Sequence, residues 1–134
     1  MATEFEVRLD GPTKSLLKAI SVLATKKINL DTVSISPAER GYLVRFLTGS
    51  EENVRTSLMK ADLPFKENKV LVIKMQNKPG EWLRVAQELA DEGIEVSHSY
   101  RVGESHDSHV YAFGVSDYQK AKNVCKKFGE CAVD

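Results

Sequence analysis

The sequence predicts an α+β chain made of two tandem βαββαβ units, residues 1–68 and 69–134, each an antiparallel sheet with its helices on one face. Two observations carry this. Period-2 alternation and helical stripes succeed one another as strand, helix, strand, strand, helix, strand, and from Val70 the same order begins again. Adding 66 to the numbers of the first half also sets one core pattern on the other: Phe5, Val7 and Leu9 fall on Leu71, Ile73 and Met75. Leu17, Ile20 and Leu23 fall on Leu83, Ala86 and Leu89, and Ile28 and Leu30 on Ile94 and Val96. After a one-residue slip in the hairpin, Val44 and Phe46 match Tyr111 and Phe113. This is an internal duplication.

In the first unit Phe5, Val7 and Leu9 alternate with Glu6 and Arg8, as in a half-buried strand, and Asp10-Gly11-Pro12-Thr13 ends it. Leu16, Leu17, Ile20, Leu23 and Ala24 then make one apolar stripe on a helix over about residues 13–27. Ile28, Leu30, Val33 and Ile35 begin a strand that turns at Ser36 to Gly41 and returns from Tyr42 to Leu47. Ser50 can cap a helix through Ala61 that buries Val54, Leu58 and Ala61, and a short strand near Phe65 to Glu67 closes the unit.

The second unit opens on the β-branched run Val70 to Met75. Asn77 suits a helix cap, Pro79 the first helical position, and Gly80 leaves backbone amides approachable. Gly93 suits the helix C-terminus, and a strand runs from Ile94 to about Val102. After a turn at Gly103 to Ser108, a strand from His109 to Val115 returns. Ser116 and Gln119 fit a capping box for a helix burying Ala121, Val124, Cys125 and Phe128, and Cys131 to Val133 reads as a last strand. This order is the split βαβ, ferredoxin-like arrangement. A module of about 65 residues buries only about 60% of its surface, and no Gly/Ser-rich linker separates the two, so they are expected to pack together.

Lys plus Arg and Asp plus Glu number 19 each, which leaves no charge imbalance to draw nucleic acid or an anionic membrane. No apolar run approaches the roughly 18 residues of a spanning helix, and the first residues lead into a strand rather than a signal peptide, so a cytoplasmic location is expected. Cys125 and Cys131 are too few for a disulfide framework and read as buried thiols. No nucleophile elbow, phosphate loop or acid-base spacing occurs. The chain is therefore read as non-enzymatic, with no catalytic residue and no cofactor.

The stretch Ile73-Lys-Met-Gln-Asn77-Lys-Pro79-Gly80-Glu81-Trp82-Leu83 resembles the first strand and the Asp/Asn-x-Pro-Gly-x-Leu loop of the ACT domain, a small regulatory ligand-binding module. Leu89-Ala-Asp-Glu-Gly93-Ile94-Glu-Val96 resembles the end of that family's first helix. The resemblance implies a tandem sensor that binds a small molecule, often an amino acid, at the seam of two units. Carried over by residue, it points to Asn77, Pro79, Gly80, Glu81, Trp82 and Leu83 as ligand contacts. The first unit departs from the pattern: Asp10, Gly11, Pro12 and Thr13 are weaker ligand-binding candidates, because a side chain at Thr13 crowds the backbone, and Thr25 to Ile28 lacks the glycine.

Physically, a glycine-bearing loop at a helix start suits a ligand carboxylate, and Glu81 suits its ammonium. Trp82 is either core or a ring at an interface or over a ligand. Exposed apolar sheet edges favour a homodimer. The expected partners are thus the ligand, a second copy, and a metabolic enzyme or regulator. Two alternatives stand: an interaction subunit with no small-molecule ligand, and a metal sensor using His98, His106 and His109 with Asp107.

Overall fold

The structure, a computed structural model, describes residues 2–128. The elements in order are β1 (Ala2–Asp10), α1 (Thr13–Thr25), β2 (Thr32–Ala38), β3 (Gly41–Leu47), α2 (Glu51–Lys60), β4 (Phe65–Gln76), α3 (Glu81–Asp91), β5 (Val96–Ser105), β6 (Ser108–Val115) and α4 (Tyr118–Phe128). The described residues divide into two compact units, Thr3–Asn68 and, with Ala2, residues 69–128. The architecture is α+β with antiparallel strand pairing.

In the first unit β3 lies between β2 and β1, with Phe5 opposite Phe46 and Ile35 opposite Val44. Phe5, Val7, Leu9, Val44 and Phe46 form one face of the sheet, and Leu16, Ala19 and Leu23 of α1 with Val54 and Leu58 of α2 close over it. Phe5 and Phe46 stack at 5.6 Å between ring centroids. In the second unit β6 lies between β4 and β5, with Leu71 opposite Phe113. Leu71, Ile73, Met75 and Phe113 pack under Val85 and Leu89 of α3 and Ala121, Val124 and Cys125 of α4.

Several expectations need correction. Phe65 to Glu67 is not a separate strand, because no Gly or Pro interrupts Asn68-Lys69 and the chain runs straight on as the 12-residue β4. β2 begins at Thr32, since Ile28 and Leu30 pack at the end of α1 instead of alternating along the strand. Leu17 is 61% exposed and Ala19 takes its expected place in the core. Ser116 does not make a capping box: its Oγ accepts from the Glu95 amide, while Asp117 Oδ1 accepts from the Lys120 amide. Cys125 is buried as expected but disulfide-bonded, so it is no free thiol. The strand expected at Cys131 to Val133 lies outside the described residues.

Three helices end in one geometry. The residue after the cap is left-handed at Lys27 (φ 59°), Asp62 (φ 55°) and Gly93 (φ 77°). In each, the next apolar amide reaches back to the helix: Ile28 to Leu23 O at 3.1 Å, Leu63 to Leu58 O at 3.0 Å and Ile94 to Leu89 O at 3.0 Å. These are Schellman turns, in which the side chains at both ends of the bond meet. Lys27 therefore adopts the backbone conformation that Gly93 adopts, although it carries a side chain.

Candidate functional site

β4 delivers the chain to Gln76, and a loop through Gly80 hands it to α3. The loop is anchored from the hairpin, because the Asn77 amide donates to Asp107 O at 2.9 Å. The first unit has the same anchor, from the Gly11 amide to Arg40 O at 2.8 Å. Asn77 does not cap α3. The N-cap is Gly80, left-handed at φ 85°, which makes no side-chain cap hydrogen bond, and the Glu81 amide donates to Lys78 O at 3.4 Å. Pro79 thus lies before the helix, not at its first position. Glycine is needed here for its backbone conformation: a Cβ at Gly80 would meet nothing within 4 Å.

Glu81 opens the helix facing inward, only 8% exposed. Its carboxylate accepts from Arg84 Nη2 at 2.9 Å and pairs with Lys78 Nζ at 3.4 Å. The hydrogen bond from Arg84 holds its pKa below the usual carboxylate range, against the opposing effect of burial, with the charges of Arg84 and Lys78 adding to it. Glu81 is therefore an ionised clamp whose oxygens are already engaged by two cations.

Beside this clamp is a cleft of about 370 Å³ lined by Lys74, Gln76, Lys78, Glu81, Arg84 and Ser108, with Met75. Of the residues singled out in the sequence, Glu81 alone lines it, and Asn77, Pro79 and Gly80 form the adjoining loop. Leu83 stands 65% exposed on the helix. Trp82 has one face committed: its ring stacks on Phe113 at 5.6 Å and its Nε1 donates to Ser99 Oγ at 3.1 Å, while 39% of the residue stays exposed. Lys74, Arg84 and Ser108 were not foreseen. Arg84 is one helical turn from Glu81, and Ser108 lies opposite Gln76 in the β4–β6 register.

In the first unit Pro12, in extended backbone, precedes α1, and Thr13 Oγ1 hydrogen-bonds the Tyr42 hydroxyl at 2.9 Å. Gly11 is left-handed at φ 106°. Asp10 lines a separate cavity of about 520 Å³ within this unit.

The histidines are placed individually. His98 bonds Ser97 Oγ through Nδ1 and stacks on Tyr100, His109 meets the edge of Tyr111, and His106 is an exposed turn residue near Asp107. Among the described residues no group of three or more His, Cys, Asp or Glu could hold a metal ion. Nor is any helix among them long and apolar enough to cross a membrane.

The fold is shared with solved structures that include regulatory subunits of aspartate kinase. A crystal structure of protein BT0572 from Bacteroides thetaiotaomicron matches with a TM-score of 0.87 at 20% identity, over 97% of this chain and 90% of that one. The ligand-free regulatory subunit of aspartate kinase from Thermus thermophilus matches with a TM-score of 0.63 at 10% identity, over 94% and 91%. That of Thermus flavus matches with 0.60 at 12%, over 95% and 92%. Identities this low carry the fold alone. No family model matches the chain, and no curated protein matches it at a significant level.

Proposed function

We propose that the protein is a non-catalytic regulatory module of two tandem, ferredoxin-like ACT units, 1–68 and 69–134, which binds a small metabolite of the amino-acid class and reports it to an enzyme or regulator. The observation that carries this reading is the cleft at the uncapped start of α3, formed by the loop the sequence singled out and lined by Lys78 and Arg84. A helix start without a side-chain cap, together with two cations, suits a carboxylate. Glu81 then acts by orienting Arg84 and Lys78, and the ammonium falls to backbone carbonyls or to Gln76 and Ser108. Asn77, Pro79 and Gly80 shape the loop, and Trp82 and Leu83 give it an apolar flank. The likeness to regulatory subunits of aspartate kinase supports the class of role.

A thermal-shift panel of the common amino acids tests this. A ligand at 100 times its Kd should add about 2.7 kcal/mol of stability, and Lys78→Ala should shrink the shift. Silence across the whole panel would leave the second reading, an interaction subunit without a ligand. That reading is favoured by the exposed Leu17, Val33, Ile35, Met59 and Leu83.

A further inference from the structure

Cys125 sits in the second unit's core, 4% exposed on α4, in one cluster with Phe113, Ala121 and Val124. It is disulfide-bonded. The chain holds one other cysteine, Cys131, outside the described residues, so the bond joins these two and closes a loop of seven residues, 125–131, across the end of α4 at Phe128. The chain beyond the helix is thereby tied to a residue of the core.

The unit does not need this bond as a staple. Disulfide frameworks hold small domains that cannot bury enough apolar surface, whereas here Leu71, Ile73 and Met75 are already closed under Val85, Leu89 and Val124. Closure entropy is also smallest for a short loop: opening one of seven residues lowers the folding equilibrium only about fiftyfold, against roughly 10³ to 10⁸ for small domains. The reduced chain therefore stays folded. Its Cys125 thiol, a small and apolar group, suits the core position that the sulfur already holds. What changes is the tether to the segment from Gly129 onward. In the cytoplasmic setting expected from the sequence, where thiols are kept reduced, a single disulfide of this kind belongs to the redox-sensing class.

We propose that Cys125 and Cys131 form a reversible thiol–disulfide switch, which fixes the segment after α4 when oxidised and frees it when reduced. The co-reactant is a low-molecular-weight thiol of the glutathione class. Its thiolate attacks the Cys131 sulfur, because Cys125 is shielded in the core; a mixed disulfide forms at Cys131, and Cys125 leaves as a thiolate that takes up a proton. A second small thiolate then attacks the mixed disulfide and departs as the small-molecule disulfide, while Cys131 leaves as a thiolate and takes up the other proton. Two electrons and two protons pass from two thiols to the protein. Oxidation runs the same steps in reverse.

The test equilibrates the full chain in glutathione buffers running from fully oxidised to fully reduced, and labels free thiols with a maleimide-linked polyethylene glycol. Gel mobility should show two populations, one with no label and one with two, exchanging within the glutathione ratios found in cells. Circular dichroism should match at the two ends, and the unfolding equilibrium constant in urea should rise about fiftyfold on reduction. Cys131→Ser should give the reduced value in every buffer, and mass spectrometry of the oxidised chain should find Cys125 linked to Cys131 of the same copy. Two labelled thiols in the fully oxidised buffer, or a linkage between copies, overturns the proposal. So does a bond that survives the most reducing ratio, which marks a fixed staple. Unfolding that is indifferent to reduction, or a reduced chain that has lost its secondary structure, overturns it as well.

Discussion

Glu81 shows how a single residue can be read in two ways. Its type and position suggested a partner for a ligand's ammonium, whereas its surroundings make it the anion that organises Lys78 and Arg84. The distinction has a pH consequence. A carboxyl group whose folded pKa lies below its unfolded value stabilises the fold above the unfolded pKa, about 4.3 for Glu, and that stabilisation fades as pH falls through the folded value. Glu67 behaves in the same sense, since Arg55 grips it with Nε and Nη2 at 2.8 and 2.6 Å, and the pair ties α2 to β4. Urea midpoints should therefore drop below about pH 4.5, and Glu81→Gln should flatten that decline by removing one of the two lowered carboxyls. Curves for wild type and variant that keep the same acid slope would show that the clamp contributes nothing.

At the scale of elements, the three Schellman turns make a quantitative comparison. Lys27 holds a left-handed backbone against its own side chain, and Gly93 holds the same conformation without that cost. Lys27→Gly should stabilise the first unit by about 0.5 kcal/mol, after allowing for glycine's larger unfolded-state entropy, while Gly93→Lys should destabilise the second by about 1 kcal/mol. Chemical denaturation of both variants checks the pair, and equal effects of the same sign would refute the explanation. Most elements were legible because their apolar periods are long: Phe5 to Leu9, Val70 to Met75 and the stripe through Val85 and Leu89 announce themselves. Lys27 and Asp62 were not, because their conformation is imposed by the contacts of Ile28 with Leu23 and of Leu63 with Leu58, which no local propensity reveals. Ile28 misled for the same reason, being the apolar end of a helix turn and not the start of a strand. In the candidate site, the loop Asn77 to Gly80 could be read directly. Its cleft could not, because Lys74 and Ser108 reach it through strand pairing and Arg84 through the turn of a helix.

For the whole molecule, the fold is shared with regulatory subunits of aspartate kinase, and large apolar residues are left on the surface. Val33 and Ile35 stand 40% and 48% exposed on β2, at one side of the first unit's sheet, opposite the buried Phe46 and Val44. The homodimer expected from the sequence would cover them. Ile35→Lys should convert a dimer to a monomer in sedimentation while changing stability by no more than about 0.5 kcal/mol, as befits an exposed position. A wild-type chain that sediments as a monomer at all concentrations would remove the dimer from the account. The claim on which the rest depends is that the second unit's cleft takes a ligand, and Trp82, the one tryptophan of the chain, follows the cleft-lining Glu81 in α3 and has its ring on Phe113. Its emission can be titrated with each common amino acid in turn. The account predicts a saturable change with at least one of them, weakened by Lys78→Ala; emission unchanged through the whole panel, in a chain shown by circular dichroism to be folded, would contradict it.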